Sequence, residues 1–284
     1  MNYLKIYGNS FVKTYIHTDG VNNVVRKECN TIEYRDRLLN QINKQNYFNG
    51  FKNINSIKYN EFDKNSFIFD MNYNNGFDFS EYFQITKIDN IKTTITNLLD
   101  FIQFNFNNSY KKNVTSLVQD KYRSVKNNII NLFGVDYIDF SKLDAIFINE
   151  VYLSVGYCHG DLTLSNILFS RMTKSIYLID FLDSYIESPL IDVVKLRQDT
   201  YFKWSYNFLY NKNTDINKLN IIMAYFDLEI QKKFCILDEY TSHYNTLQLL
   251  NFLRIIPYST EATNTIIINN IKKIYEHINN PSRW

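Results

Sequence analysis

A chain of 284 residues that is 45% hydrophobic carries enough apolar side chains for a sizeable core, in one two-lobed domain or two small ones. Its 31 basic and 29 acidic residues leave a net charge of +2 and are spread along the chain, so there is no basic footprint and nucleic acid is excluded as an expected partner. Cys29, Cys158 and Cys235 stand far apart with no CxxC or His/Cys cluster, which excludes a structural zinc site and predicts a reducing, cytoplasmic setting; no signal peptide and no membrane span are expected.

The opening runs YLKIYG, FVKTYIH and NVVRKEC alternate as strands, with GNS and TDGVN as turns, which predicts a three-stranded antiparallel start. A helix follows in TIEYRDRLLNQINKQNYF, where Tyr34, Leu38, Gln41 and Ile42 recur at helical spacing and Thr31 is placed to cap. INSIKYNEF and SFIFDMNY read as two further strands, ending at the glycine of MNYNNG. Beyond about residue 78 apolar residues recur three and four apart in ITKIDNIKTTITNLLDFIQF and VTSLVQDKYRSVKNNIINLF, with a shorter helix expected in KLDAIFINEVY. The segment VGYCHGDLTLSNILF reads as a loop entering a strand, with IYLIDFL as a second strand. Past Val193 helices are expected in KLNIIMAYFDLEIQKKF, TLQLLNFLRII and NTIIINNIKKIYEHI. The fold class is therefore α+β. A strand-rich N-terminal lobe with one helix is expected over residues 1–76, and a mainly helical lobe over 77–284.

The segment from His159 to Asn166, HGDLTLSN, places Asp161 and Asn166 five residues apart, and Asp180 follows Asn166 by fourteen. Phosphoryl transfer from ATP needs a divalent cation on the phosphates, an amide and a carboxylate to hold that cation, and a carboxylate to accept the proton of the attacking hydroxyl. Asn166 and Asp180 suit the first pair of roles, with magnesium as the cation, and Asp161 the last. A hairpin of NILFS and SIYLID would return Asp180 to the loop that carries Asp161.

HGDLTLSN followed by LIDF resembles the aminoglycoside phosphotransferase and choline kinase superfamily, the small-molecule branch of the protein-kinase-like fold. Protein kinases carry HRD, DFG and APE elements, whereas here Gly160 and Leu182 stand where that Arg and Gly would be and no APE follows. The resemblance implies an assembled site without an activation loop, with ATP held between the lobes. It gives His159 and Asp192, in SPLIDVV, the role of bracing the catalytic loop over residues 159–166. It also gives the backbone of Met71 to Tyr73, in a hinge over residues 71–76, the role of binding adenine. Lys27 is expected to contact the phosphates, with Arg26 as the competing choice, and Glu33 is its expected helix partner. Gly8, Asn9 and Ser10 would form a short phosphate-covering loop. Asp183 and Trp204 are candidates for acceptor contacts, each weighed against a solvated loop acid and a packed aromatic. The resemblance admits a sugar, an amino alcohol or an aminoglycoside as acceptor, and favours a precursor of a bacterial surface glycan. An inactive nucleotide-binding pseudokinase and a Ser/Thr protein kinase are the alternatives.

Overall fold

Residues 4–6, 12–18, 23–63, 65–170, 175–208 and 215–280 are described by the computed structural model. The chain divides into two units, one of residues 1–101, 161–183 and 213–219 and the other of residues 102–160, 184–212 and 220–284.

In the first unit the alternating opening folds as predicted into antiparallel β1 (Leu4–Ile6), β2 (Lys13–Thr18) and β3 (Asn23–Glu28). Thr31 then caps α1 (Ile32–Tyr47), its side chain accepting from the Tyr34 N–H at 3.3 Å, which satisfies one of the unpaired donors of the first turn. Leu38, Ile42 and Gln45 form the buried stripe of this helix. The run INSIKYNEF departs from expectation. Only β4 (Ile54–Ser56) is strand, and it runs parallel to residues 176–178 in a different sheet, while Tyr59 makes an isolated bridge to Met71 in β5 (Ile68–Asn72). The main sheet has the order β1-β2-β3-β5, with Val25 opposite Met71 and Lys27 opposite Phe69. The second sheet is β4-β9-β8, in which β8 (Ile167–Phe169) and β9 (Ile176–Leu178) form the predicted hairpin. Asp78 caps α2 (Phe79–Ile85) by accepting from the Ser80 and Glu81 N–H groups, and Tyr82 of that helix stacks on Phe169 of β8 with centroids 4.2 Å apart. Val25, Cys29, Leu38, Ile42, Ile57, Tyr59, Phe69 and Met71 make one buried cluster, on which Leu168 and Ile179 pack.

Helix α3 (Ile88–Asn107) begins in the first unit and ends in the second. There β6 (Tyr110–Asn113) pairs antiparallel with β7 (Tyr152–Val155), and between them lie α4 (Thr115–Phe133) and α5 (Phe140–Phe147). The shorter helix expected in KLDAIFINEVY thus stops at Phe147, and the end of that run is strand. Helix α6 (Pro189–Thr200) starts with Ser188 as cap and Pro189 in the first turn, the arrangement in which a missing proline N–H costs nothing. Every residue of α6 is buried, including the charged Asp192, Lys195, Arg197 and Asp199. Buried charges persist only when matched. Arg197 makes a bidentate pair with Asp227 of α7 (Ile216–Phe234) at 2.8 and 3.1 Å and donates to the Tyr240 hydroxyl at 2.9 Å. Asp199 accepts from the Ser205 N–H and hydroxyl at 3.1 and 2.6 Å. Helices α8 (Asp238–Ile255) and α9 (Glu261–Asn279) complete the unit.

His243 on α8, whose Nε2 accepts from the Tyr152 N–H at 3.4 Å, has its pKa lowered by burial, against an opposing pull from Glu239. Burial and then the Arg197 charge lower that of His277. A histidine depressed in the folded state contributes stability that is fully present above its unfolded pKa of about 6.5 and is lost as pH falls below that through the folded value. The melting temperature is therefore expected to fall between pH 7.5 and 5.5, and His243→Gln to flatten the slope; an unchanged slope in that variant would contradict the assignment.

Candidate active site

The first unit itself brings together four of the predicted residues. Asn166 ends a single 3-10 turn, Leu164–Asn166, that leads directly into β8. Its Nδ2 donates to the Asp161 carbonyl at 2.8 Å and to Asp161 Oδ2 at 3.0 Å. Two acceptors on the nitrogen fix the amide's orientation and leave Oδ1 free of hydrogen bonds. At the far end of the hairpin the Ile179 N–H donates to the Asn166 carbonyl at 3.1 Å, which ties the residue preceding Asp180 to the segment that carries Asp161 and Asn166. Asp180 holds φ at +58°, a left-handed conformation that is sparsely populated outside glycine and that clusters at functional positions. Its Oδ1 receives the Lys27 ammonium at 2.5 Å.

Strand alternation separates the two basic candidates on β3. Lys27 is 8% exposed and faces the buried cluster, whereas Arg26 leaves on the other face and forms a bidentate pair with Asp70 at 2.8 Å for each bond. Burial works against the Lys27 ammonium, yet the Asp180 carboxylate and the Tyr59 hydroxyl outweigh it and hold its pKa above the usual lysine range. Glu33 does not join this group. It lies exposed in the first turn of α1, five residues before Leu38, which at 3.6 residues per turn is about 140° around from the buried stripe. The ion pair expected of Glu33 is made by Asp180 instead.

The three residues after Asp180 are anchored by α1 and its C-terminal end, contacts that sequence reading missed. Phe181 is buried with its ring 5.7 Å from that of Phe48, the Leu182 carbonyl accepts from Lys44 Nζ at 2.8 Å, and Asp183 Oδ2 accepts from Asn40 Nδ2 at 3.3 Å. Asp183 is otherwise exposed. In the segment expected to act as a hinge, Met71 is buried and the Tyr73 N–H donates to the Asn23 carbonyl at 2.9 Å, so that donor is already used within the sheet. Gly76 sits in a tight spot, where a Cβ would approach Asn74 Oδ1 to 3.0 Å, Leu168 Cβ to 3.1 Å and the Phe169 carbonyl to 3.3 Å. Gly8, Asn9 and Ser10 lie outside the described residues.

In the second unit Asp192 receives the His159 N–H at 2.7 Å and the Gly160 N–H at 2.8 Å, fixing the backbone of the two residues that precede Asp161 in the chain. Gly160 has φ of +88°, so a side chain such as the arginine of HRD would be strained at this position. His159 is fully buried. Trp204 opens a short 3-10 turn and is half-buried.

The donor set fits a hard divalent cation. Asp180 Oδ2 and Asn166 Oδ1 are oxygen donors without hydrogen bonds of their own, and among the described residues no group of three or more His, Cys, Asp or Glu stands ready to hold a metal. Magnesium asks for few protein ligands and takes the rest from water and phosphate, unlike a zinc or calcium cage.

The family described as "Phosphotransferase enzyme family" matches residues 133–213. No curated protein matches the chain in sequence. Among solved structures, an ADP-bound aminoglycoside phosphotransferase aligns with a TM-score of 0.57 at 11% identity, over 97% of this chain and 92% of its own. A choline kinase from Streptococcus pneumoniae gives 0.55 at 13%, over 97% and 92%, and an ethanolamine kinase from Plasmodium vivax gives 0.57 at 16%, over 98% and 82%. The chain thus has the α+β kinase-like fold and resembles the aminoglycoside phosphotransferase and choline kinase superfamily. Together the family match and the fold support a small-molecule phosphotransferase. No helix among the described residues is long and apolar enough to cross a membrane.

Proposed function

We propose that the chain is an ATP- and magnesium-dependent phosphotransferase that phosphorylates a hydroxyl group of a small molecule. The observation that carries this reading is the linked set Asp161, Asn166, Asp180 and Lys27, joined by the bonds Asn166 to Asp161, Ile179 to Asn166 and Lys27 to Asp180. Asn166 Oδ1 and the Asp180 carboxylate would hold magnesium, which when bound neutralises phosphate charge. Lys27 binds the nucleotide phosphates. Asp161 orients the acceptor hydroxyl and takes its proton, and Asp192 and the buried His159 brace the loop that leads to it. The base is assigned to the backbone of the segment around Met71 to Tyr73, with the amides beyond Tyr73 as the donors still available to it. Glu33 has no part in this scheme, while Asp183 and Trp204 are carried as acceptor contacts.

The acceptor class we favour is a sugar or an amino alcohol, including precursors of bacterial surface glycans; the likeness in fold to choline and ethanolamine kinases supports the amino-alcohol arm. We place the enzyme in the cytoplasm, where ATP is available and where a reducing environment suits the thiols of Cys29, Cys158 and Cys235, which form no disulfide. Titration with a fluorescent ATP analogue tests the nucleotide site. Binding is expected with magnesium, weaker with EDTA, and in Asp180→Ala the magnesium-dependent part is expected to vanish. A variant that keeps the full magnesium effect would remove Asp180 from the metal site.

A further inference from the structure

Asp180 holds its left-handed φ of +58° without being glycine, and such a conformation persists only where the chain around it is fixed. On the N-terminal side the hydrogen bond from the Ile179 N–H to the Asn166 carbonyl does this. On the C-terminal side β9 has already ended at Leu178, and residues 179–184 belong to neither strand nor helix. That side is held by side chains of α1 and its cap. Asn40 and Lys44 stand four apart on one helix face, with Phe48 as C-cap four residues further, and they meet Asp183, Leu182 and Phe181 in reverse order. Of the three contacts, that of Lys44 is made to the backbone: its ammonium donates to the Leu182 carbonyl at 2.8 Å.

A lysine in the last turn of a helix has an ordinary task, which is to serve the unpaired carbonyls there. In α1 that task falls to residues outside the helix. The Lys58 ammonium donates to the Gln45 carbonyl at 3.1 Å, to the Asn46 carbonyl at 2.7 Å and to that of Phe48, and the Ser56 hydroxyl donates to the Gln45 carbonyl at 2.9 Å. Lys44 is instead directed to the backbone two residues beyond Asp180.

We propose that Lys44 is a positioning residue for Asp180, its hold on the Leu182 carbonyl keeping the Asp180 carboxylate in place to share magnesium with Asn166. This inference rests on the reading of Asp180 as a metal ligand. The test uses the full chain and a fluorescent ATP analogue, and reads the magnesium concentration that gives half of the magnesium-dependent gain in affinity, with the affinity in EDTA as reference. Lys44→Met keeps the aliphatic stem and removes the donor, and methionine is as good a helix former as lysine, so α1 is retained. The expected result is a magnesium midpoint about tenfold higher, the scale of a hydrogen bond to a charged group, with affinity in EDTA unchanged. Lys44→Arg, which restores N–H donors, is expected to return the midpoint toward wild type. An unfolded fraction lowers the amplitude of binding and leaves the midpoint where it is, so a loss of stability does not imitate the effect. A wild-type midpoint in Lys44→Met, equal losses with magnesium and with EDTA, or a Lys44→Arg variant as weak as Lys44→Met would overturn the inference, while Asp180→Ala tests the metal site separately. A wild-type chain with no magnesium effect would overturn the metal reading and this inference with it.

Discussion

Replacing Asp161 by Asn is expected to leave nucleotide binding intact while phosphate transfer falls roughly 10²- to 10⁴-fold, the usual worth of a general base. The substitution is nearly isosteric, and an asparagine keeps a side-chain oxygen able to accept from Asn166 Nδ2 as Asp161 Oδ2 does. The Asp161 carbonyl still accepts from Asn166 Nδ2 at 2.8 Å and from the Thr163 N–H at 2.7 Å. What is lost is an oxygen able to take a proton from an attacking hydroxyl. Lys27 and Asp180 are untouched, so the affinity for a fluorescent ATP analogue should match wild type while turnover collapses. Transfer at the wild-type rate would remove Asp161 from the chemistry.

The largest stability effect is expected in the second unit, where Asp227→Ala should cost about 3–5 kcal/mol because it strands a buried arginine. Arg197 is 3% exposed, and Asp227 is its bidentate partner while also accepting from the Thr200 hydroxyl at 3.1 Å and Gln231 Nε2 at 2.6 Å. The Tyr240 hydroxyl and the rings of Tyr201 and Tyr244, 5.2 and 4.7 Å from the guanidinium carbon, stay behind but carry no full charge. A loss of this size is a large share of the roughly 5–15 kcal/mol that holds a typical domain together. The control is Asp120→Ala, which removes an exposed i,i+3 pair with Arg123 and is expected to shift the urea midpoint negligibly. Equal effects of the two variants would refute the burial argument.

The parts of the fold written in local pattern were legible in the sequence. The opening alternation, the Thr31 cap and the hairpin of β8 and β9 each depend on residues close in the chain, and each is found as expected. The strand β6 was not legible, because all its residues are exposed and YKKN has no alternation to read. Nor was the pairing of β4 with β9, which joins residues 54–56 to residues 176–178 through only three positions. At the site, Asp161, Asn166 and Asp180 were legible because one loop and one hairpin fix their spacing. Glu33 has the charge such a partner needs, but Leu38 and Ile42 mark a stripe that excludes it.

The central claim is that Asp161 serves phosphate transfer from ATP to a small-molecule hydroxyl. Its most direct test follows radiolabel from the γ-phosphate of ATP, with magnesium, onto a panel of sugars, amino alcohols and aminoglycosides, using the wild-type chain beside Asp161→Asn. The account predicts a labelled acceptor with wild type and almost none with the variant. A chain that binds ATP but labels no acceptor above the Asp161→Asn background would contradict it and favour an inactive nucleotide-binding module.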